Sequence, residues 1–169
     1  MPVKFPRYLN IPLFYNCLRD IWIKLESKAV RDCLEREGFR PDIIHSHYTW
    51  PSGAVAIELK KSMHVPVVVA EHTSITLNRF LDSRDPIALR TWKNADATIR
   101  VNKLDISRIR EVAGVPASCV HYIPNGFSEN EFYPIAVEEC RKKLGLPLDK
   151  KVILNVANPC TARLKTISN

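Results

Sequence analysis

Short apolar runs alternate with amphipathic segments along this chain of 169 residues, and the alternation restricts the folds that it can adopt. The run at 65–70, V-P-V-V-V-A, is typical of a strand buried on both faces of a parallel sheet. Further strands are predicted to start near residues 42, 97, 119 and 151, which leaves about 20–30 residues for each crossover connection. The pattern predicts an α/β fold with a doubly wound parallel sheet and helices on both faces.

Helices are predicted where apolar residues recur every three or four positions between suitable start and stop residues. They cover residues 13–37, 52–63, 86–93, 103–112 and 137–144. Gly38 and Pro41 end the first helix. Its polar face mixes acidic and basic residues, which favours packing against a sheet over lying on a membrane surface.

Composition excludes several classes of protein. Five widely spaced cysteines without a C-x-x-C pair predict neither a disulfide scaffold nor a structural zinc site. The net charge of +7 is concentrated in residues 141–169, which carry +6, and no basic stripe with interleaved aromatic residues indicates nucleic-acid binding. An anionic partner, either a phospholipid surface or a nucleotide phosphate, fits this charge. The absence of a signal-peptide pattern and of a long apolar run predicts a cytoplasmic protein.

Polar side chains follow four of the predicted strands. The first strand ends in His45-Ser46-His47-Tyr48, the second in Glu71-His72, the third in Asn102 and the fourth in Asn125-Gly126. Ligands of open parallel sheets bind beyond the carboxyl ends of the strands. The sequence therefore predicts that these groups converge on one rim.

The histidines on this rim allow two interpretations. Strand alternation puts His45 and His47 on one face, and with His72 they would suit zinc or iron in a metal-dependent hydrolase. Alternatively, His45 satisfies a buried hydrogen bond, His47 lines a cleft, and His72 acts as a general acid/base or as a hydrogen-bond donor to a sugar or phosphate. His72 as a helix cap and Asn125-Gly126 as a simple turn are the structural alternatives, and Trp50 and Trp92 are expected to be packing residues.

Five segments resemble retaining glycosyltransferases of family 4. They are P-D-I-I-H-S-H-Y-T-W-P-S-G-A-V-A (41–56), V-P-V-V-V-A-E-H-T-S (65–74), A-D-A-T-I-R-V-N (95–102), I-P-N-G-F-S-E-N-E-F-Y-P (123–134) and L-G-L-P-L-D-K-K-V-I-L-N-V-A (144–157). Their order and spacing are more specific than any one segment. The resemblance covers about residues 41–157.

The resemblance implies a GT-B arrangement, in which two Rossmann-like domains hold the acceptor and the nucleotide sugar, with no cofactor and no metal. It implies that His72 is the catalytic histidine beside the transferred sugar. Its acceptor-side cleft would include His47, Glu71, Asn102, Asn125 and Gly126. The implied partners are a nucleotide sugar and a glycan or lipid-linked acceptor, with peripheral contact to the inner face of an anionic membrane.

The chain also departs from the family pattern. It has five glycines and no glycine-rich loop, and residues 158–165 do not match the donor-side motifs. Residues 1–134 are therefore predicted to be part of the acceptor domain, and 135–169 the linker helix and first strand of a truncated donor domain, whose donor-binding residues are unknown. The hypothesis is a retaining, nucleotide-sugar-dependent transferase fragment that is inactive alone. The alternatives are the metal-dependent hydrolase and a non-catalytic, degraded reading frame.

Overall fold

The computed structural model describes residues 3–8 and 11–154. The chain divides into two compact units, of which the first ends at Gly126 and the second begins at Phe127. The predicted domain boundary between residues 134 and 135 stays a prediction.

The first unit contains four strands and six α-helices in its described residues. The strands are β1 (Ile44–His47), β2 (Val67–Glu71), β3 (Ala97–Arg100) and β4 (Val120–Tyr122). The helices are α1 (Pro12–Asn16), α2 (Arg19–Arg36), α3 (Ala54–Met63), α4 (Ser74–Asp82), α5 (Pro86–Asn94) and α6 (Asp105–Ala113). A kinked turn at Thr49–Gly53, in which the Trp50 backbone is extended, precedes α3, and a short 3-10 turn at Ala117–Cys119 precedes β4.

The strands form one parallel sheet in the order β1-β2-β3-β4. This confirms the α/β class and the Rossmann-like parallel sheet. Because the strand order follows the chain order, right-handed crossovers return to the same side of the sheet each time. The helices that connect these strands therefore cover one face, whereas a doubly wound sheet needs a reversal of strand order to place helices on both faces.

The core lies between the covered face and these helices. Val67 and Val69 of β2 pack against α3, and Val120 of β4 packs in a cluster with side chains of α4, α5 and α6. Trp92 of α5 is 1% exposed at the centre of that cluster. A second layer forms where Trp22 and Ile23 of α2 pack on α3. The opposite face carries exposed or half-buried side chains at alternate strand positions, namely His45, His47, Val68, Ala97, Ile99 and His121.

Two helix predictions differ from the structure. The predicted helix 13–37 is interrupted at Leu18, whose backbone leaves the helical region, and Tyr15 on the short α1 packs edge-on against Trp22. Helix α4 was not predicted, although Leu77, Phe80 and Leu81 have helical spacing and are buried.

The second unit contains α7 (Val137–Leu144), with the bounds that the sequence predicts. Gly145 ends α7 with φ of 66°, and the Arg141 guanidinium donates to the carbonyls of Pro147, Leu148 and Lys150. The strand predicted at 151–157 is wrong over 151–154, which are exposed and not in a strand. A strand needs a hydrogen-bonded neighbour, and the described part of this unit has none. Residues 155–157 lie outside the described residues.

The described helices include none that is long and apolar enough to cross a bilayer.

Replacing Gly53 by alanine is expected to destabilise the first unit by about 1–3 kcal/mol. A Cβ there would lie 2.9 Å from the Tyr48 carbonyl oxygen and 3.1 Å from the Thr91 methyl group. Gly126→Ala is the matched control, because its Cβ would meet nothing within 4 Å. Urea unfolding measures both variants, and equal midpoints for Gly53→Ala and the wild type would contradict the close packing.

Glu26→Gln is expected to stabilise the protein near pH 8 by roughly 1 kcal/mol. The free energy that corresponds to the full pKa shift is about 2 kcal/mol, and partial access of the carboxylate to solvent lowers it. Glu26 Oε2 is buried without a hydrogen-bond partner among the described residues, and burial raises the pKa of Glu26 to about 6. The folded state therefore binds the proton more tightly than the unfolded chain, so this group's contribution to stability falls as pH rises from about 4.5 to about 6.

Urea unfolding at pH 4 and pH 8 measures the stability difference between Glu26→Gln and the wild type. We expect the gain in the variant to appear only at the higher pH. A difference that is the same at both pH values would show that Glu26 does not titrate as stated.

Candidate active site

The carboxyl ends of β1 and β2 bring two histidines together. His47 pairs in register with Ala70, and His72 follows Ala70 by two residues, so strand alternation places both side chains on the open face. His47 Nδ1 lies 2.8 Å from His72 Nε2, which is hydrogen-bonding distance. The rim predicted from the sequence therefore contains a direct contact between these two side chains.

Two further rings surround this pair. The His45 ring centroid lies 4.6 Å from that of His47, and Tyr48 meets His72 edge-on at 5.5 Å. Burial lowers the pKa of His45, and the neighbouring His47 and His72 lower it further, so its surroundings favour the neutral form of this imidazole. The open end of β1 thus places the His45 ring beside a hydrogen-bonded histidine pair.

Tyr48 forms a sharp turn at the end of β1. Its φ is 71°, a left-handed value that costs a non-glycine residue on the order of 1–3 kcal/mol. The Tyr48 N–H donates to the Ala70 carbonyl at 2.7 Å, and the Tyr48 carbonyl accepts from the Gly53 N–H at 3.0 Å. The Ser52 hydroxyl donates to the His47 carbonyl. These bonds hold the turn that aims Tyr48 at His72.

Glu71 is 1% exposed, and its carboxylate is used inside the protein. Oε2 accepts from the Thr49 N–H at 3.0 Å, and Oε1 accepts from the Thr73 N–H at 3.2 Å. Thr49 in turn accepts a hydrogen bond from the Trp92 indole at 2.9 Å. Glu71 therefore ties the turn after β1 to the turn after β2, and His72 lies in the second of these turns.

Arg100, at the end of β3, is a buried residue that the sequence analysis did not identify. Its guanidinium donates to the Glu71 carbonyl at 2.8 Å, to the Ser74 hydroxyl at 2.5 Å and to the Asp105 carboxylate at 2.8 Å. It joins the loop that carries His72 to the first residues of α4 and α6. The signal was an arginine inside a strand followed five residues later by an aspartate at a helix start.

The remaining predicted residues lie farther along the rim. Asn102 Oδ1 accepts from the Leu104 N–H at 3.1 Å and shapes the turn into α6. Asn125 and Gly126 are exposed beyond β4. Since β1 and β4 are separated by three strand spacings, these two strands lie about 14 Å apart across the sheet.

The tryptophans have packing roles, as predicted. Trp92 is buried in the core, and Trp50 packs beside Tyr15 and Trp22 with the Arg19 guanidinium 5.2 Å from its ring.

The described residues contain no group of three or more His, Cys, Asp or Glu side chains placed to hold a metal ion. The alternative of a metal-dependent hydrolase that uses His45, His47 and His72 therefore gains no support.

Comparisons with known proteins find a family and several relatives that this chain resembles in sequence. The model of Glycosyltransferase Family 4 matches residues 2–131. The putative teichuronic acid biosynthesis glycosyltransferase TuaC of Bacillus subtilis is 26% identical over 134 residues, 77% of this chain and 34% of the relative. D-inositol 3-phosphate glycosyltransferases of Thermobispora bispora and Corynebacterium urealyticum are each 31% identical, over 69% and 70% of this chain and 29% and 30% of the relatives.

The chain spans about a third of the length of these curated relatives. The family match covers more than three quarters of the chain and includes β1, β2 and the histidine pair between them. The chain therefore belongs to Glycosyltransferase Family 4.

Proposed function

We propose that this chain carries the acceptor-side part of an enzyme that transfers a sugar from a nucleotide diphosphate to a hydroxyl group, with retention at the anomeric carbon. Family membership supports sugar transfer. The observation that carries the proposal is the pair of His47 and His72 on the open face of the sheet at the carboxyl ends of β1 and β2. Ligands of open parallel sheets bind at that end.

His72 is proposed as the catalytic residue beside the departing phosphate and the acceptor hydroxyl. An imidazole offers one hydrogen-bond donor and one acceptor when neutral and two donors when protonated. His72 is half-buried at the rim, so it is accessible to a ligand and partly shielded from water. A histidine so placed is suited to donating a hydrogen bond to the sugar or phosphate and to accepting a proton.

The proposed acceptor is a glycan or a lipid-linked molecule with a free hydroxyl. The relatives' names refer to D-inositol 3-phosphate and to teichuronic acid biosynthesis, and a phosphate and an acid are both anionic near neutral pH. Of the net charge of +7, +6 lies in residues 141–169, so it supports an anionic partner for that part of the chain, either a nucleotide phosphate or an anionic surface. Neither a metal nor another cofactor is part of the proposal, and the nucleotide sugar is the second substrate.

A cytoplasmic location with peripheral contact to an anionic membrane is also part of the proposal. Phe5, Leu13 and Leu18 are exposed near the start of the first unit, together with Lys4 and Arg7. Apolar and basic side chains together suit the interface of an anionic bilayer.

Co-sedimentation of the protein with anionic but not with neutral vesicles is the expected result, and equal recovery with both kinds of vesicle would contradict the membrane contact.

We expect the chain alone to show no transferase turnover, because the relatives it matches are about three times as long and most donor contacts are proposed to lie outside it. Incubation with radiolabelled UDP-, GDP- and ADP-sugars and a broad set of acceptors measures this. Robust turnover would show that the chain is not an inactive fragment.

In a full-length protein that includes the donor domain, His72→Ala is expected to lower the transfer rate by about 100-fold or more, as loss of a general acid/base does. His121→Ala is the matched control, because His121 lies on the same open face but on β4, at the opposite edge of the sheet. An unchanged rate in His72→Ala would remove His72 from the mechanism.

A further inference from the structure

We propose that His47 is a positioning residue that accepts a hydrogen bond from His72 and thereby fixes the tautomer and the ring orientation of His72. The inference rests on the proposed function, because it assigns His47 a role through His72 rather than through contact with the acceptor. It is carried by the 2.8 Å contact between His47 Nδ1 and His72 Nε2.

The identity of the two nitrogen atoms limits the arrangement to two states. If His72 donates, both neutral rings carry their hydrogen on Nε2, and if His47 donates, both carry it on Nδ1. Neutral histidine side chains intrinsically favour the Nε2–H form. The direction from His72 Nε2–H to His47 Nδ1 is therefore the one in which both rings keep their preferred tautomer.

The main chain is held by hydrogen bonds at both histidines. His47 belongs to β1, and its carbonyl accepts from the Ser52 hydroxyl in the next turn. His72 follows the last residue of β2, in a loop whose backbone is held by Glu71 and Arg100. These loop bonds fix the main chain but not the imidazole, so the bond to His47 sets the ring orientation.

This arrangement has a chemical consequence for His72. With Nε2 occupied by His47, Nδ1 is the nitrogen left for a ligand: it accepts a proton or a hydrogen bond while His72 is neutral, and once protonated it donates a hydrogen bond to the sugar or phosphate. Without His47, the two tautomers exchange freely and the ring turns about its last side-chain bond. Positioning of this kind affects the rate because a reacting group must be oriented before the transfer step.

Ring ¹⁵N NMR of the chain at about pH 8.5, roughly two units above the ordinary histidine pKa, tests the proposal directly. In the wild type we expect a protonated Nε2 and an unprotonated Nδ1 on His72. His47→Asn should keep this pattern, because Asn Oδ1 takes the place of Nδ1 as an acceptor. His47→Ala should give shifts averaged between the tautomers, weighted toward Nε2–H but moved from the wild-type values toward the Nδ1–H form, and His121→Ala should match the wild type.

Two results would overturn the proposal: protonated Nδ1 on His72 in the wild type, or the wild-type His72 pattern in His47→Ala. Backbone amide spectra check that each variant is folded. If His47→Ala does not fold, His47→Leu repeats the test with apolar bulk in place of the ring.

Kinetics in the full-length protein separate this inference from the proposed function. His47→Ala should lower kcat by about tenfold, the effect of one hydrogen bond, with little change in the acceptor KM, and His47→Asn should restore kcat. An acceptor KM that rises while kcat holds would place His47 in contact with the acceptor and overturn the positioning role. If His72→Ala leaves transfer unchanged, the proposed function fails even where the NMR result stands.

Discussion

The site depends on the buried carboxylate of Glu71, which joins the turns that follow β1 and β2. It accepts from the backbone N–H groups of Thr49, after β1, and Thr73, after β2. These two turns therefore cannot separate without leaving the buried Glu71 carboxylate without its hydrogen-bond partners. Arg100 adds a second restraint, because it donates to the Glu71 carbonyl from the next strand. The imidazoles of His47 and His72 at the rim are thus supported by the buried side chains of Glu71 and Arg100.

Strand order explains where the functional groups lie. The described sheet runs in one direction from β1 to β4, so its connecting helices cover one face and the histidines occupy the other. The same order separates His47, the last residue of β1, from Asn125, which follows β4 at the other edge of the described sheet. The rim is therefore extended, and the two histidine side chains that contact each other, His47 and His72, lie at its β1–β2 end.

Local signals in the sequence predicted part of this structure. Helix α7 was placed correctly because Gly145 and Pro147 stop it locally, and the alternation of β1 placed His45 and His47 on one face. Contacts that depend on strand register were not predictable. His47 meets His72 because β1 and β2 pair at Ala70, and Arg100 of β3 donates to Glu71 because these two residues are register partners between β2 and β3. Helix α4 was missed although its apolar spacing was visible.

The most direct test of the proposed role of His72 is a crystal structure of a protein that contains this chain together with the proposed donor domain, with an intact nucleotide sugar bound. The transferred sugar is expected to contact the His72 imidazole at the carboxyl ends of β1 and β2. A sugar bound at the β4 edge beside Asn125, with no contact to His72, would contradict it.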